Sequence, residues 1–258
     1  MKRVALITGA SSGIGKELAC VHARHGGDMI VVARRVDKLV ELKNRLETEY
    51  GICVKVIEKD LSDMAAVRSL YDEVQQENIV VDYLINNAGF GGLGAFDGRD
   101  ASFHLQMIQL NIAALTLLTR LFLPQFKQRR SGRILNVSST VSRMPGPYQA
   151  VYFASKAYVT SFSNALHEEL RGSGVTVTNL MPGATESEFG ARSGMDKTPV
   201  FKRTAKAQRV AEAGYIAMMK GKINHTAGLT FIQQILMKLL PFLPIKIILR
   251  QVRKMQEV

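Results

Sequence analysis

A short apolar run ends in a polar, glycine-bearing turn and passes into an amphipathic helix, and this unit recurs along the chain. That recurrence constrains the fold more than any other feature. Val4-Ala5-Leu6-Ile7 leads into Thr8-Gly9-Ala10-Ser11-Ser12-Gly13-Ile14-Gly15, a helix is predicted from about Lys16 to His25, Gly26-Gly27 stops it, and Met29 to Ala33 is the next apolar run. Ile52 to Ile57, Val80 to Ile85, Ile134 to Ser139 and Val175 to Leu180 repeat the pattern, with helices expected over 37–50, 63–77, 102–129 and 151–171. Runs apolar on both faces are strands buried on both faces, and helices between them are crossovers. The expectation is an α/β fold: a doubly wound parallel sheet of six strands with helices on both faces. With 258 residues, 47% of them apolar, the chain suffices for a single domain spanning 1–258.

The first turn carries chemistry. Between a strand and a helix N-terminus, glycines let a phosphate approach the backbone, and the helix end offers unpaired N–H groups. The spacing is G-x-x-x-G-x-G over Gly9, Gly13 and Gly15, and its strand–turn–helix–strand setting points to a dinucleotide. The second strand then runs into Ala33-Arg34-Arg35. An adenosine ribose with a free 2′-hydroxyl is usually held there by Asp or Glu. Guanidinium forks suit a 2′-phosphate instead, so the expected cofactor is NADP(H), held mainly through Arg34 with Arg35 in support. Asn86-Asn87-Ala88-Gly89 ends another strand, where open parallel sheets bind ligands.

Tyr152 and Lys156 are four residues apart, on one face of a predicted helix. An ammonium close to a phenol lowers the phenol's pKa and makes the pair an acid/base device. Ser138 and Ser139 close the strand before it, and Asn111 lies amid apolar residues in the 102–129 helix. The Thr8–Gly15 turn, Asn86-Asn87-Ala88-Gly89, Asn111, Ser139, Tyr152, Lys156 and Pro182-Gly183, in this order across residues 4–190, resemble the short-chain dehydrogenase/reductase family in its common single-domain branch. The resemblance implies a Rossmann-like fold and a catalytic group of Asn111, Ser139, Tyr152 and Lys156. It implies that Tyr152 gives its proton to a carbonyl oxygen, that Ser139 hydrogen-bonds that oxygen, that Lys156 holds the nicotinamide ribose, and that Asn111 anchors a water leading from Lys156 to solvent. It also implies a cofactor held by Gly9, Ser11, Ser12, Gly13, Ile14, Gly15, Arg34, Arg35, Asp60, Leu61, Asn87, Ala88, Gly89, Tyr152, Lys156, Pro182, Gly183 and Thr185. Some NADP(H)-preferring relatives carry a basic residue where this chain has Ser12, so the phosphate argument rests on Arg34 and Arg35. A homodimer or homotetramer through the helices over 102–129 and 151–171 is implied as well.

Past Ser187 the shared motifs end. Residues 187–228 are expected to form a substrate lid region, with 187–203 as the lid proper before a helix near Ala205, and 229–258 a helical extension. Residues 192–258 hold 13 Lys and Arg against 3 Asp and Glu, so most of the net charge of +12 lies there. Leu229 to Leu240 is apolar, Pro241 and Pro244 interrupt it, and from Ile245 a basic amphipathic helix puts Ile245, Ile248, Leu249, Val252 and Met255 on one face. Three readings are open for the tail: docking on its own domain or a partner subunit, peripheral contact with an anionic membrane surface, or binding of an acidic carrier substrate. No nucleic-acid recognition motif accompanies the charge, and no metal-ligand spacing is present. Cys20 and Cys53 read as small buried residues of a reducing compartment, which places the protein in the cytoplasm. No spanning helix is expected from uninterrupted apolar length. The function expected is interconversion of a carbonyl and an alcohol by an NADP(H)-dependent enzyme, the substrate an apolar ketone or aldehyde, fatty acyl derivatives included. The alternative is a non-catalytic dinucleotide-sensing or membrane-associated scaffold.

Overall fold

The computed structural model describes residues 2–257, Lys238 and Pro241 through their backbone alone. In chain order the elements are β1 (Val4–Thr8), α1 (Gly13–Arg24), β2 (Asp28–Ala33), α2 (Val36–Tyr50), β3 (Val54–Glu58), α3 (Met64–Gln76), β4 (Tyr83–Asn86), α4 (Ala101–Ile108), α5 (Leu115–Gln128), β5 (Gly132–Val137), α6 (Ala150–Glu169) and β6 (Val175–Pro182). There follow β7 (Thr185–Glu186), α7 (Glu188–Ser193), β8 (Ala205–Lys206), α8 (Ala207–Met219), β9 (Asn224–Ala227), α9 (Phe231–Leu239) and α10 (Ile245–Gln256). The main sheet is parallel throughout, in the order β3-β2-β1-β4-β5-β6-β9. It is the doubly wound, Rossmann-like sheet expected, with one strand more. Asn224-His225-Thr226-Ala227 has no apolar run to announce it, because an edge strand next to β6 is only partly covered.

Alternation along each strand divides the core into two layers. Ala5, Ile7, Val31, Ile85 and Leu135 face α1, α2 and α8, while Leu6, Ile30, Leu84, Ile134 and Val177 face α3 and α5. Helix α8 is therefore core: Val210, Tyr215 and Met218 are buried under the sheet. The expected lid region 187–228 divides accordingly. Only 187–206 lies outside the main layers, and 207–227 supplies a core helix and an edge strand. By length and hydropathy Ala101–Gln128 could cross a membrane, but Leu118, Phe122 and Phe126 on it are fully packed into the second layer. Cysteine placement differs from expectation. Cys53 is exposed, one residue ahead of the edge strand β3, and Cys20 is half-buried with its Sγ 2.8 Å from Arg45 Nη2.

A buried polar row crosses the apolar sheet. Asn86, Asn136, Asn179 and Asn224 lie opposite one another on four successive strands. Asn86 Nδ2 donates to Asn136 Oδ1 (2.9 Å) and Thr119 Oγ1, and Asn136 Nδ2 donates to Ser163 Oγ (2.9 Å). Asn179 Nδ2 reaches Asn224 Oδ1 (2.7 Å) and Thr160 Oγ1. Ser138, just past β5, donates to Lys156 O and meets the Thr160 hydroxyl. These bonds fix the height of α6 on the sheet, since sliding it by one turn would orphan several buried amides. Asn136→Ala leaves Asn86 and Ser163 short of partners and is expected to cost about 2–3 kcal/mol of unfolding free energy. Urea denaturation reads this, and a loss below about 0.5 kcal/mol would contradict the role of the row.

Candidate active site

The strand order reverses between β1 and β4, and a crevice opens outside their carboxyl ends. Thr8, at the end of β1, ties its two walls together. Its buried hydroxyl accepts from Asn87 N and Ala88 N, both at 3.0 Å. Asn87 Nδ2 returns bonds to Thr8 O and Gly9 O. The approach is close enough to require glycine: a Cβ at Gly15 would lie 2.3 Å from Gly9 O, and Gly9 itself holds φ +67°.

This cradle fits a dinucleotide. Helix α1 starts in it with Ser12 at the N-cap, no side-chain cap on its first N–H groups and no acidic residue in its first turn. Helix α3, by contrast, is capped by Asp63. The free donors and the positive end of the α1 dipole face where a pyrophosphate would lie, with Ile14 half-buried beside them. At the rim, Arg35 Nη2 donates to Ser11 Oγ (3.2 Å) and pairs with Glu188 at 2.9 Å. Arg34 is more exposed and leans on Asp60 at 3.5 Å. Burial works against the Asp60 carboxylate, but hydrogen bonds from Ser62 and the Arg34 charge outweigh it and hold the pKa below the usual range. Leu61 is a core side chain, so only its backbone faces the crevice. Across the site, Gly183 N is bonded to Ala227 O and Thr185 Oγ1 donates to Gly183 O (2.9 Å).

Helix α6 places Tyr152 and Lys156 over the ends of β5 and β6, both buried. Lys156 Nζ donates to Val137 O at 2.9 Å and stands 5.8 Å from the Tyr152 ring centre. Ser139 Oγ donates to Pro182 O at 3.4 Å and accepts from Val141 N. Asn111 sits in a π-helical turn, Gln109–Ala114, between α4 and α5. Such turns present a side chain that a regular helix would not. Asn111 Oδ1 accepts from Phe90 N, and Nδ2 donates to Phe90 O and Ser155 Oγ. The side chain thus clamps the strand-end loop to α6. A Cβ at Gly89 would fall 3.0 Å from Asn111 Oδ1 and 3.4 Å from Lys156 Nζ, which puts Gly89 between the two.

Burial sets the electrostatics, against the expected effect of the lysine. It pushes Tyr152 up to about 12, and the hydrogen bond with Ser139 offsets only part of that rise. It pushes Lys156 down to about 8. Desolvation opposes charge on both groups.

Two covers complete the site. Segment 187–193 lies on the glycine turn: a Cβ at Gly13 would meet Ser187 Cβ at 2.9 Å, and the Phe189 ring is 5.4 Å from that of Tyr152. Helix α10 packs Ile248 and Val252 into a cluster with Met107, Tyr152 and Phe153, and Phe90, Phe103 and Leu240 line it further. Gln149 Nε2, at the start of α6, donates to Gln256 Oε1 at the end of α10 (2.6 Å). Among the described residues no group of His, Cys, Asp and Glu could hold a metal.

An open parallel sheet with a phosphate cradle at its switch point is the architecture of dinucleotide-dependent oxidoreductases. A model of the short chain dehydrogenase family matches residues 3–198, and the chain belongs to the short-chain dehydrogenase/reductase family. It is similar to 17-beta-hydroxysteroid dehydrogenase type 3 from Mus musculus, with 34% identity over 70% of this chain and 60% of that protein. It is also similar to sulfoacetaldehyde reductase 2 from Chromohalobacter salexigens, with 35% identity over 87% of this chain and 92% of that one. Among solved structures, a short-chain dehydrogenase from Sphingobium yanoikuyae in complex with NADPH superposes with a TM-score of 0.83, 32% identity and 90% of each chain covered. Several curated relatives are longer, and the chain spans about 60% of their length.

Motif reading singled out the residues of the cradle and of α6. It missed Phe189, which lies against Tyr152, and Ser155, which holds Asn111, and it named Ile248 and Val252 on the tail helix without placing them beside Tyr152. Ser155 stands inside Tyr152-Phe153-Ala154-Ser155-Lys156, but a serine in a helix gives no sign of its partner. The Lys156 geometry has a measurable consequence. The native state gives up this proton near pH 8 and the unfolded chain near 10.5, so the stability lost to burying the charge is regained as pH rises through that window. The stability of the wild type relative to Lys156→Met is expected to rise by roughly 3 kcal/mol between pH 8 and 10.5. Urea denaturation of both proteins at the two pH values reads it, and a pH-independent difference would contradict the burial of the ammonium.

Proposed function

We propose that the chain is an NADP(H)-dependent carbonyl reductase and alcohol dehydrogenase, with reduction favoured. The observation that carries this is the placing of the buried Tyr152 hydroxyl with that of Ser139, between a phosphate cradle and an apolar cluster. Bound NADPH supplies the hydride. A carbonyl oxygen seated at the two hydroxyls accepts a hydrogen bond from each, and both strengthen as negative charge builds on the oxygen. Tyr152, kept protonated by burial, hands its proton to that oxygen. Lys156, fixed by Val137 O, holds the ribose edge. Asn111 keeps the Phe90 loop and α6 in register, and a water on this residue leading to Lys156 is part of the proposal. The phosphate preference is supported by Arg34 and Arg35 at the rim and by the NADPH complex of the Sphingobium yanoikuyae relative.

The substrate class is read from this cluster. Met107, Phe153, Phe189, Ile248 and Val252 present hydrocarbon around Tyr152, which suits an apolar ketone or aldehyde with a fatty or fused-ring body. The steroid-named relative agrees with this, and the sulfoacetaldehyde-named one does not. The hydrocarbon around Tyr152 supports the former, and Arg99, 4.4 Å from the Phe103 ring centre, is a cation at the edge of the same cluster. A cytoplasmic location is proposed on the two free cysteines. Homo-oligomer formation through α4, α5 and α6 is proposed on the exposed Leu105, Ile108 and Tyr158.

Tyr152→Phe tests the reading. NADPH affinity is expected to stay within a few-fold, while turnover of a bulky ketone falls by about 10²–10⁴-fold. An unchanged kcat would overturn the assignment. Binding of NADPH without turnover of any ketone or aldehyde, in the wild type, would favour the non-catalytic scaffold.

A further inference from the structure

The sequence pattern made α10 the amphipathic helix with an unassigned face, and the structure covers part of it: Ile248 and Val252 are buried, while Ile245, Leu249 and Met255 stay exposed. Ile248, Val252 and Gln256 are buried on the chain's own apolar cluster. The larger unpartnered face belongs to α9. Phe231, Ile232, Ile235, Leu236 and Leu239 fall on one side of that helix, between 44% and 76% exposed, and Phe242 beyond it is 83% exposed. The helix is well built despite this. Thr230 Oγ1 accepts from Gln233 N, and Gln233 Oε1 accepts from Thr230 N, a reciprocal cap that fixes its start. A contiguous apolar surface of this kind marks an interaction site.

Charge indicates what covers it. Lys246, Arg250 and Lys254 are exposed on the outward side of α10, with Ile247 among them. Glu257 is the one acidic residue of 229–258, against five Lys and Arg, and it is taken up by Arg253 at 2.7 Å. A second copy meeting this surface would bring the same net positive segment against itself. Anionic headgroups complement it, with hydrocarbon for the α9 face just beneath. At nine residues α9 is too short to cross a bilayer. We propose that α9 and Phe242 lie in the surface of an anionic lipid membrane, held there also by Lys246 and Arg250. This inference does not depend on the reaction proposed above. Its consequence is positional: α9 leaves β9 beside Gly183, whose Cβ would touch Leu229, and α10 returns over Tyr152.

The test is sedimentation of the full chain with phosphatidylcholine vesicles and with vesicles containing phosphatidylglycerol, at low and high salt. Binding to the anionic vesicles is expected, weakened by salt. It should fall about tenfold or more in Phe231→Ser/Phe242→Ser and, at low salt, in Lys246→Glu/Arg250→Glu, with NADPH binding retained by both. The chain contains no tryptophan, so Phe231→Trp gives one reporter, expected to shift its emission to the blue on anionic vesicles only. Wild-type protein that stays in the supernatant would overturn the proposal. So would Phe231→Ser/Phe242→Ser binding like wild type, which is adsorption by charge alone, or a Phe231→Trp variant whose emission vesicles leave unmoved. An oligomer that the Phe231→Ser/Phe242→Ser variant dissociates, with vesicle binding unchanged, would assign the face to a second copy and overturn it as well.

Discussion

The Thr8 hydroxyl is the interaction on which the site depends. Buried at the end of β1, it accepts the backbone N–H groups of Asn87 and Ala88, and Asn87 answers through its amide to the Thr8 and Gly9 carbonyls. A parallel sheet gives two adjacent strand ends no reason to hold their following loops together. This clasp supplies one, and it sets the glycine turn against the β4 turn with no room for a Cβ at Gly15. The crevice at the topological switch point is thus held open by a few side-chain bonds. The uncapped start of α1 provides its polarity.

The reacting side of the crevice is held by a second set of polar contacts under an apolar lining. The asparagine row, with Thr160 and Ser163, anchors α6 to the sheet, and Asn111 anchors the Phe90 loop to α6. Packing then does two things at once. It closes hydrocarbon around Tyr152 through Phe189, Ile248 and Val252, and it removes water from Tyr152 and Lys156, raising one pKa and lowering the other. Both groups are thereby biased toward their neutral forms. In the proposed reaction the phenol keeps its proton until a carbonyl oxygen gains enough negative charge to take it.

Residue by residue, the sequence was legible where function demands an unusual residue at a fixed backbone position. Gly9, Gly13 and Gly15 announce a close approach, and Tyr152 with Lys156 announces a shared helix face. It was less legible where an ordinary residue gains its meaning from a distant partner. Ser155 and Gln149 are common in helices and at helix starts, and their partners lie 44 and 107 residues away. The edge strand β9 was missed because Asn224, His225 and Thr226 are polar, and the pairing that makes them a strand is with β6. Periodicity found the apolar face of α10 but could not say whether the chain itself covers it. In the folded chain Ile248 and Val252 are covered, and the apolar side chains of α9 named above are not.

On the function proposed, this crevice is shaped and charged for a dinucleotide with a 2′-phosphate. This is tested most directly by titrating the purified protein with NADPH and with NADH and following nicotinamide fluorescence. The arginine pair at the rim predicts much tighter binding of NADPH. Equal affinities, or a preference for NADH, would contradict the role given to Arg34 and Arg35. Binding of neither would contradict the cradle itself.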